Sequence, residues 1–307
     1  MSTRMKIAVC AMLLAIAVCF TALSPLLGAN AQNSAPVAEN FELTTYRNVS
    51  VGGRLSAIDP DGDVLIYEIT TEPVKGGVEL TADGRFVYSP DLNKRGRDYF
   101  GYKAIDSEGN SSQEATVIIK ITKQRTATTY DDMTGSAAHY AAVTLAENGI
   151  FTGEQIGSSM VFSPDSQVSR GEFLAMCMQL AGTEMLSGVM STGFTDDDNI
   201  PTWQKPYVAT ALMDGFISGY PGNGSVIFDA EACITCSEAS VMLDNILTFT
   251  NVSASRYAES APAWASQSVA NLSACNIIPY GCAYDAELTR ADAALILVAA
   301  MDVLNKR

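Results

Sequence analysis

The sequence has few basic residues. Its 307 residues contain 19 Lys and Arg against 34 Asp and Glu, with a single His and a formal net charge of −15. Because like charges repel, nonspecific binding to nucleic acid or to an anionic membrane is not expected. The shortage is greatest in residues 130–307, which contain 20 acids and six bases, so any of these bases that is buried or clustered is informative. The six bases are Arg170, Lys205, Arg256, Arg290, Lys306 and Arg307.

Long apolar runs are absent after residue 23. The run at 7–23 follows Arg4 and Lys6, and Ala-Asn-Ala at 29–31 is typical of a cleavage site. This pattern predicts a secretory signal peptide over 1–31, cut before Gln32. An uncleaved membrane anchor is the alternative, because the run is 17 residues long. The rest of the chain is expected to lie outside the membrane and has the length of about two domains.

Cysteine is scarce, and residues 36–122 contain none. Five remain after the predicted cleavage site, an odd number that leaves at least one without an intramolecular partner. Cys275 and Cys282 flank a turn-like segment and are a candidate local disulfide. Cys233 and Cys236 form a C-x-x-C sequence, but it has no second pair for zinc and no thioredoxin-like surroundings for redox chemistry. Cys177 is expected to be a small buried side chain.

Residues 36–122 show short runs of alternating apolar and polar residues, separated by turn sequences. The strand-like runs are 63–69, 84–89, 98–104 and 115–121. Turn residues occur at 59–62, 75–77, 83–84, 89–90 and 108–110. Many short strands at this spacing predict an all-β sandwich.

The order of these pieces is similar to that of bacterial immunoglobulin-like and cadherin-like repeats. The sequences that carry the resemblance are Ala-Pro-Val-Ala-Glu-Asn at 35–40, Asp-Pro-Asp-Gly-Asp at 59–63, Gly-Arg-Phe-Val-Tyr-Ser-Pro at 84–90 and Asp-Tyr-Phe-Gly-Tyr-Lys-Ala-Ile-Asp at 98–106. The resemblance covers nearly the whole segment and implies an immunoglobulin-like or cadherin-like sandwich over 36–122.

Calcium is the candidate cofactor of this segment. Asp59, Asp61 and Asp63 offer carboxylates at alternate positions of one turn, and Ca²⁺ prefers such oxygen ligands. The cadherin resemblance implies that Glu39 and Asp106 complete the set. The spacing is not that of an EF-hand, which requires Glu at the twelfth position of the loop. An acidic turn whose Asp residues bond to their own backbone is the alternative.

A polar stretch at 123–129 predicts a linker, and a repeat with a period near 60 residues follows it. Three segments align: Val-Ser-Arg-Gly-Glu-Phe at 168–173, Ile-Thr-Cys-Ser-Glu-Ala at 234–239 and Leu-Thr-Arg-Ala-Asp-Ala at 288–293. Each places an acid three residues after a Ser or Thr, which predicts a helix N-cap with a capping box. The helix before each cap is expected to end at Gly149, Gly215 and Asn276 respectively. Each unit is therefore helix, loop, helix, and the three must share a core.

These units resemble S-layer homology repeats. The family's aromatic-acid opening is matched at 130–132, 194–196 and 257–259, its loop by Gly-Tyr-Pro-Gly-Asn-Gly at 219–224, and its Thr-Arg-Ala-Glu cap at 169–172, 235–238 and 289–292. The family's Trp is present at 203 and 264, whereas Ala stands at 137. The resemblance implies a pseudo-threefold α-helical domain with unit one at 130–190, unit two at 194–250 and unit three at 257–307. It also implies noncovalent binding of a secondary cell-wall polysaccharide, often acidic and pyruvylated.

Five residues are predicted to contact that polysaccharide. Arg170 and Arg290 stand at the family's cap arginine, and a guanidinium suits a carboxylate better than an ammonium does. Trp203, Trp264 and Tyr220 offer aromatic faces for a sugar ring. The alternatives are structural: each Arg could pair with an acid of a neighbouring unit, and each Trp could be a wedge between helices.

Three other positions qualify the prediction. Cys236 replaces the cap Arg of unit two, which predicts weak binding there. Ala137 weakens the case for an intact groove beside unit one. His139 is expected to be a polar residue on a helix surface and not a catalyst.

The sequence thus predicts a secreted, multidomain all-β plus all-α protein at the cell wall or S-layer surface. Its expected function is noncovalent wall anchoring with display of the sandwich, without catalysis and without a nucleic-acid or membrane partner after cleavage. One alternative is a structural or adhesive protein whose sandwich binds calcium or other surface proteins. Another is a wall hydrolase, although the sequence contains no nucleophile–base motif.

Overall fold

The computed structural model describes residues 33–222, 224–258, 260–278 and 283–306. The predicted signal peptide, Glu259 of the third opening and Cys282 of the candidate disulfide lie outside them. Among the described residues, no helix combines the length and the apolar character needed to cross a bilayer.

The N-terminal part consists of nine strands. Their bounds are β1 Val37–Ala38, β2 Phe41–Tyr46, β3 Val51–Arg54, β4 Ala57–Ile58, β5 Ile66–Thr71, β6 Gly76–Leu80, β7 Arg85–Pro90, β8 Gly96–Ile105 and β9 Ala115–Thr122. One sheet has the order β2-β9-β8-β5 and the other β3-β7-β6, while β1 pairs with β4. The β2–β9 pair is parallel and the other pairs are antiparallel.

Alternation of side chains along the strands builds the core between the two sheets. Phe86 and Tyr88 point inward from β7, Phe100 and Tyr102 from β8, and Ile119 from β9; all are at most 2% exposed. The Phe86 and Phe100 rings meet edge to face with centroids 5.1 Å apart. A strand places alternate residues on one face, so the alternating apolar residues of the predicted runs all reach the core when these runs form strands.

Two predicted turns are wrong. Residues 75–77 and 89–90 were expected to form turns, yet Gly76 begins β6 and pairs with Pro90, the last residue of β7. A Cβ on Gly76 would lie only 2.3 Å from the Ser89 carbonyl oxygen. Glycine is therefore required for the close approach of β7, and not for chain reversal.

The C-terminal part is mainly helical. Its helices are α1 His139–Glu147, α2 Arg170–Ala181, α3 Lys205–Met213, α4 Cys236–Leu247, α5 Ala254–Tyr257, α6 Ser266–Ala274 and α7 Arg290–Leu304, with a 3₁₀ turn at Asp197–Asn199. Two short hairpins stand where loops were expected: β10 Glu154–Ile156 with β11 Ser159–Val161, and β12 Tyr220–Gly222 with β13 Ser225–Ile227.

The predicted helix ends are confirmed. Ser169, Thr235 and Thr289 each accept a hydrogen bond from the backbone N–H three residues on, and each forms a full capping box. The residues predicted to end the preceding helices have positive φ: Gly149 at 70°, Gly215 at 75° and Asn276 at 56°. Local spacing alone therefore fixes where these helices begin and end.

A closed ring of backbone hydrogen bonds joins the three cap segments. Val168 N–H donates to Leu288 O at 3.0 Å, Ile234 N–H to Val168 O at 3.0 Å, and Leu288 N–H to Ile234 O at 2.8 Å. All three side chains are buried in one hydrophobic core that draws on every predicted unit. The ring fixes the positions of the cap helices relative to one another.

The sandwich docks on the start of α1 through its β3 strand. Gly52 N–H donates to Ala137 O, and Tyr140 N–H donates to Ser50 O, both at 3.0 Å. The Tyr140 ring lies 5.2 Å from that of Tyr46, and Tyr140 packs against both hydrophobic cores. The exposed edge of β3 is thus paired, so the two parts share a hydrogen-bonded junction.

Residues 123–129 form no helix or strand but are held by Glu147 at the end of α1. The Glu147 carboxylate accepts from Arg125 N–H at 2.8 Å and from Thr126 N–H at 2.6 Å. Although desolvation raises the pKa of Glu147, these hydrogen bonds outweigh it and hold the pKa below its ordinary value. The segment between the two parts is anchored at its middle.

Candidate functional site

Three equivalent grooves arise where a cap helix packs against the first helix of the following unit, in cyclic order. Helix α2 packs against α3, α4 against α6, and α7 against α1. We call the α7–α1 site, with Arg290 and the β10–β11 hairpin, the first groove. The α2–α3 site, with Arg170 and the β12–β13 hairpin, is the second groove. The α4–α6 site, with Cys236, is the third groove.

Arg170 is buried in the second groove, with 7% of its surface exposed. Its Nη1 lies 3.1 Å from Glu238 Oε1, and its Nε donates to Phe228 O at 3.1 Å. The guanidinium carbon is 4.7 Å from the centre of the Tyr220 ring. The structure thus places two predicted site residues, Arg170 and Tyr220, in contact, and it also shows the inter-unit ion pair expected of a structural arginine.

Trp203 precedes α3 and is 54% exposed. Its neighbour Gln204 is only 2% exposed, and within the part of the chain that the structure describes its Oε1 has no hydrogen-bond partner. A Cβ on Gly171, next to Arg170, would lie 1.8 Å from that Oε1. Gly171 therefore makes room for an amide oxygen beside the arginine, in a groove whose tryptophan faces solvent.

Arg290 in the first groove has different partners. Its Nη2 lies 2.8 Å from Glu154 Oε1, and its guanidinium carbon is 5.3 Å from the centre of the Phe151 ring. Nη1 donates to Phe162 O at 3.4 Å. The position of the tryptophan is taken by Ala137, whose carbonyl oxygen accepts a hydrogen bond from Gly52 N–H of the sandwich at 3.0 Å.

The third groove has Cys236 where the others have arginine. Its Trp264 is 63% exposed, so neither predicted tryptophan is buried as a wedge between helices. Residues 279–282, which follow α6, lie outside the described residues. Cys177 is fully buried, as predicted, and burial raises the pKa of its thiol.

His139 was expected on a helix surface, and this expectation is wrong. It is 6% exposed at the docked sandwich, with Nδ1 3.4 Å from Ser50 Oγ. Burial lowers the pKa of His139 to about 4, although the nearby Asp132 carboxylate opposes the shift. The sequence could not reveal this because the covering residues come from a distant segment.

Three of the five predicted calcium ligands converge. One carboxylate oxygen from each of Asp59, Asp63 and Asp106 lies within 4.8 Å of the other two. The structure does not bring Glu39 or Asp61 into this group. Asp61 Oδ2 accepts instead from Ser34 N–H at 2.6 Å.

The trio has the electrostatics of a cation site. Asp59 Oδ2 is buried without a hydrogen-bond partner among the described residues. Desolvation raises the pKa of Asp106, but hydrogen bonds from the side chain and backbone of Asn110 and from Glu108 N–H outweigh it and hold the pKa low. Three carboxyl groups at this distance offer the hard oxygen atoms that suit Ca²⁺.

Two residues beside the cap arginines were not singled out in the sequence. They are Gln204 and Glu154. Aligning the hairpins would have shown that Glu154 replaces an aromatic residue, since Gly153 and Gly219 precede equivalent strands with φ of 71° and 66°. No local signal could have shown that Gln204 is buried.

Two family models match this chain. The bacterial cadherin-like domain matches residues 33–123, and the S-layer homology domain matches residues 129–174 and 193–224. These matches confirm the resemblance of both parts at the level of domain type. They cover most of unit one and part of unit two, and the count of three repeats stays a prediction.

A curated relative agrees with the second match. The chain is 31% identical over 129 residues to the surface-layer 125 kDa protein of Lysinibacillus sphaericus, covering 41% of this chain and 10% of the relative. The chain spans about a tenth of the length of the curated relatives it matches. The S-layer homology match and this relative indicate association with the cell surface.

Solved structures align only with about a third of the chain. Human protocadherin-24 EC1-2 gives a TM-score of 0.25 at 23% identity, covering 30% of this chain and 54% of that one. An endo-fucoidan hydrolase of glycoside hydrolase family 107 gives a TM-score of 0.25 at 22% identity, covering 31% and 14%. Scores of this size carry no argument about function.

Proposed function

We propose that the protein attaches noncovalently to the cell wall by binding a secondary wall polysaccharide through its helical units, and that it displays the cadherin-like sandwich. The second groove carries this proposal. It combines a fixed guanidinium, an aromatic ring against it and a solvent-facing tryptophan at one helix junction.

The chemistry suits an acidic sugar. Arg170 Nε and Nη1 are engaged by Phe228 O and Glu238 Oε1, and we assign Nη2 to a carboxylate of the ligand. Trp203 provides an apolar face for a sugar ring. Because unit two and its neighbours are strongly acidic overall, affinity has to come from such fixed contacts and not from a basic field.

The ring of hydrogen bonds through Val168, Ile234 and Leu288 supports a pseudo-threefold arrangement of three repeats. In this arrangement the grooves are alike in backbone but unequal in side chains. The second groove is the principal site, and the first and third are weaker.

A pelleting assay tests the proposal. The chain from residue 33 is mixed with isolated wall sacculi before and after chemical extraction of the secondary polymer. We expect pelleting only before extraction, and at least about fivefold weaker binding for Trp203→Ala, because stacking against a ring contributes about 1–3 kcal/mol. Tyr99→Ala is the matched control, since Tyr99 on the sandwich is also 54% exposed. Pelleting that survives extraction would refute polysaccharide binding.

Calcium binding by the sandwich is a second proposed function, favoured by the convergence of Asp59, Asp63 and Asp106. A ligand that binds only the folded state raises the melting temperature. We expect Ca²⁺ to raise it for the whole chain, a chelator to reverse the rise, and Asp106→Asn to abolish it. Asp91→Asn, at an exposed turn of the same sandwich, should behave like the parent chain. An unchanged melting temperature would remove calcium from consideration.

A further inference from the structure

Glu154 and Tyr220 occupy the same place in the first and second grooves. The glycine before each has a left-handed backbone, and a Cβ on Gly153 or Gly219 would lie 2.5 Å from a carbonyl oxygen across its hairpin. Both hairpins therefore start with a required glycine, and the next residue faces the cap arginine of the preceding unit. In one groove this residue is an aromatic, and in the other it is an acid.

The exchange changes what the arginine binds. In the second groove Tyr220 contacts Arg170 through its ring, and the ion pair is made by Glu238 of the cap. In the first groove Glu154 itself forms the ion pair, with its Oε1 2.8 Å from Arg290 Nη2. The ion-pair partner of Arg290 therefore comes from an exposed hairpin, whereas that of Arg170 comes from a helix cap.

The space beside Arg290 is small. Phe151, Phe162, Glu172 and Met176 line it together with Arg290, and its volume is about 10 Å³, enough for about one water molecule. Glu172 belongs to the same lining, so a second acidic residue borders the space beside Arg290. A ligand carboxylate that approached Arg290 with Glu154 in place would meet repulsion.

We propose that Glu154 is an internal competitor for Arg290: it occupies the guanidinium until the anionic group of the polysaccharide displaces it. This inference rests on the proposed function and names Glu154 as the residue that sets the affinity of the first groove. The side chain of Glu154 is 55% exposed, and half-exposed ion pairs are weak, so displacement exchanges one carboxylate for another at small cost.

Isothermal titration calorimetry of the chain from residue 33 tests the inference. The probe is a methyl hexopyranoside carrying a 4,6-pyruvate ketal, with the same glycoside lacking the ketal as the uncharged comparison. We expect Glu154→Gln to tighten binding at the first groove about fivefold and to leave the stronger binding at the second groove unchanged. The gain should vanish when Glu154→Gln is combined with Arg290→Gln. Glu79→Gln removes the same charge from an exposed position of the sandwich and should change nothing.

The outcomes separate the two proposals. If the parent chain binds the probe and Glu154→Gln binds equally or more weakly, the competitor role is overturned while wall binding stands. If the gain persists without Arg290, Glu154 acts elsewhere and the inference is again wrong. If neither the parent chain nor Glu154→Gln binds the probe or the wall polymer, the proposed function fails and the inference fails with it. Near-ultraviolet circular dichroism shows that each variant is folded.

Discussion

The first and second grooves share a backbone but differ in their use. In the second groove Trp203 faces solvent and Arg170 is locked by Glu238. In the first, the tryptophan position is Ala137 and the arginine is held by the exposed Glu154. The units therefore share a common backbone frame, and a few side chains distinguish one groove from the other.

Ala137 of the first groove contacts the sandwich. Its carbonyl oxygen accepts from Gly52 N–H, and a Cβ on Gly52 would lie 2.6 Å from the Ala137 Cβ. Strand β3 therefore approaches the backbone at this position closely. The other two units have tryptophan at this position. In unit one the same position contacts the sandwich.

The largest expected difference between the grooves concerns their arginines. Arg170→Gln leaves the partly buried Glu238 carboxylate without its partner, and breaking such a pair costs about 3–5 kcal/mol. Arg290→Gln breaks a half-exposed pair and should cost at most about 1 kcal/mol. Urea denaturation of both variants measures the difference. Equal losses would mean that the two arginines have equal structural roles, contrary to the geometry.

The junction beside the first groove should be sensitive to acid. The folded chain keeps His139 neutral down to about pH 4, whereas the unfolded chain binds a proton near the ordinary pKa of 6.5. Because the unfolded state binds more protons, stability falls as the pH decreases from about 6.5 to 4, by up to about 3 kcal/mol. Above pH 6.5 this contribution is constant.

Thermal unfolding at several pH values checks this. The carboxylates titrate in the same window, so the comparison is between the parent chain and His139→Gln, which removes only the imidazole. The variant should lose less stability than the parent between pH 7 and pH 4.5. Parallel curves would show that the junction does not exclude protons from His139.

A smaller effect is expected from methyl groups on the sandwich. Gly52→Ala forces a Cβ against Ala137, and such overpacking costs about 1–3 kcal/mol. Gly77→Ala on β6 is the matched control, since nothing lies within 4 Å of its added Cβ. It should be neutral or stabilising by about 0.5 kcal/mol, because alanine loses less backbone entropy in a strand. Hydrogen exchange at Tyr140 N–H, which bonds to Ser50, should accelerate only in Gly52→Ala.

Features that depend on local spacing could be predicted from the sequence. The capping boxes at Ser169, Thr235 and Thr289 need only a hydroxyl and an acid three residues apart, and all three form. The four strand-like runs overlap β5, β7, β8 and β9, since alternation over several residues is visible in the sequence.

Features that depend on distant contacts could not be predicted. Strand β3 contains Gly52 and Gly53, which interrupt a strand pattern, yet both are needed because Ala137 and Phe86 approach their backbone. The burial of His139 has the same origin. Within the site, the exposure of Trp203 and the ion pair of Glu154 depend on how one unit packs on the next. The sequence of a single unit does not determine that packing.

The ring through Val168, Ile234 and Leu288 has a consequence for the timing of folding. Beside it, Gln167 contacts Glu287 across 120 positions of sequence. Contacts between such distant residues form slowly, since the intervening chain must first be brought together. The helical part therefore folds fully only after the third cap segment, which contains Leu288, has joined the other two.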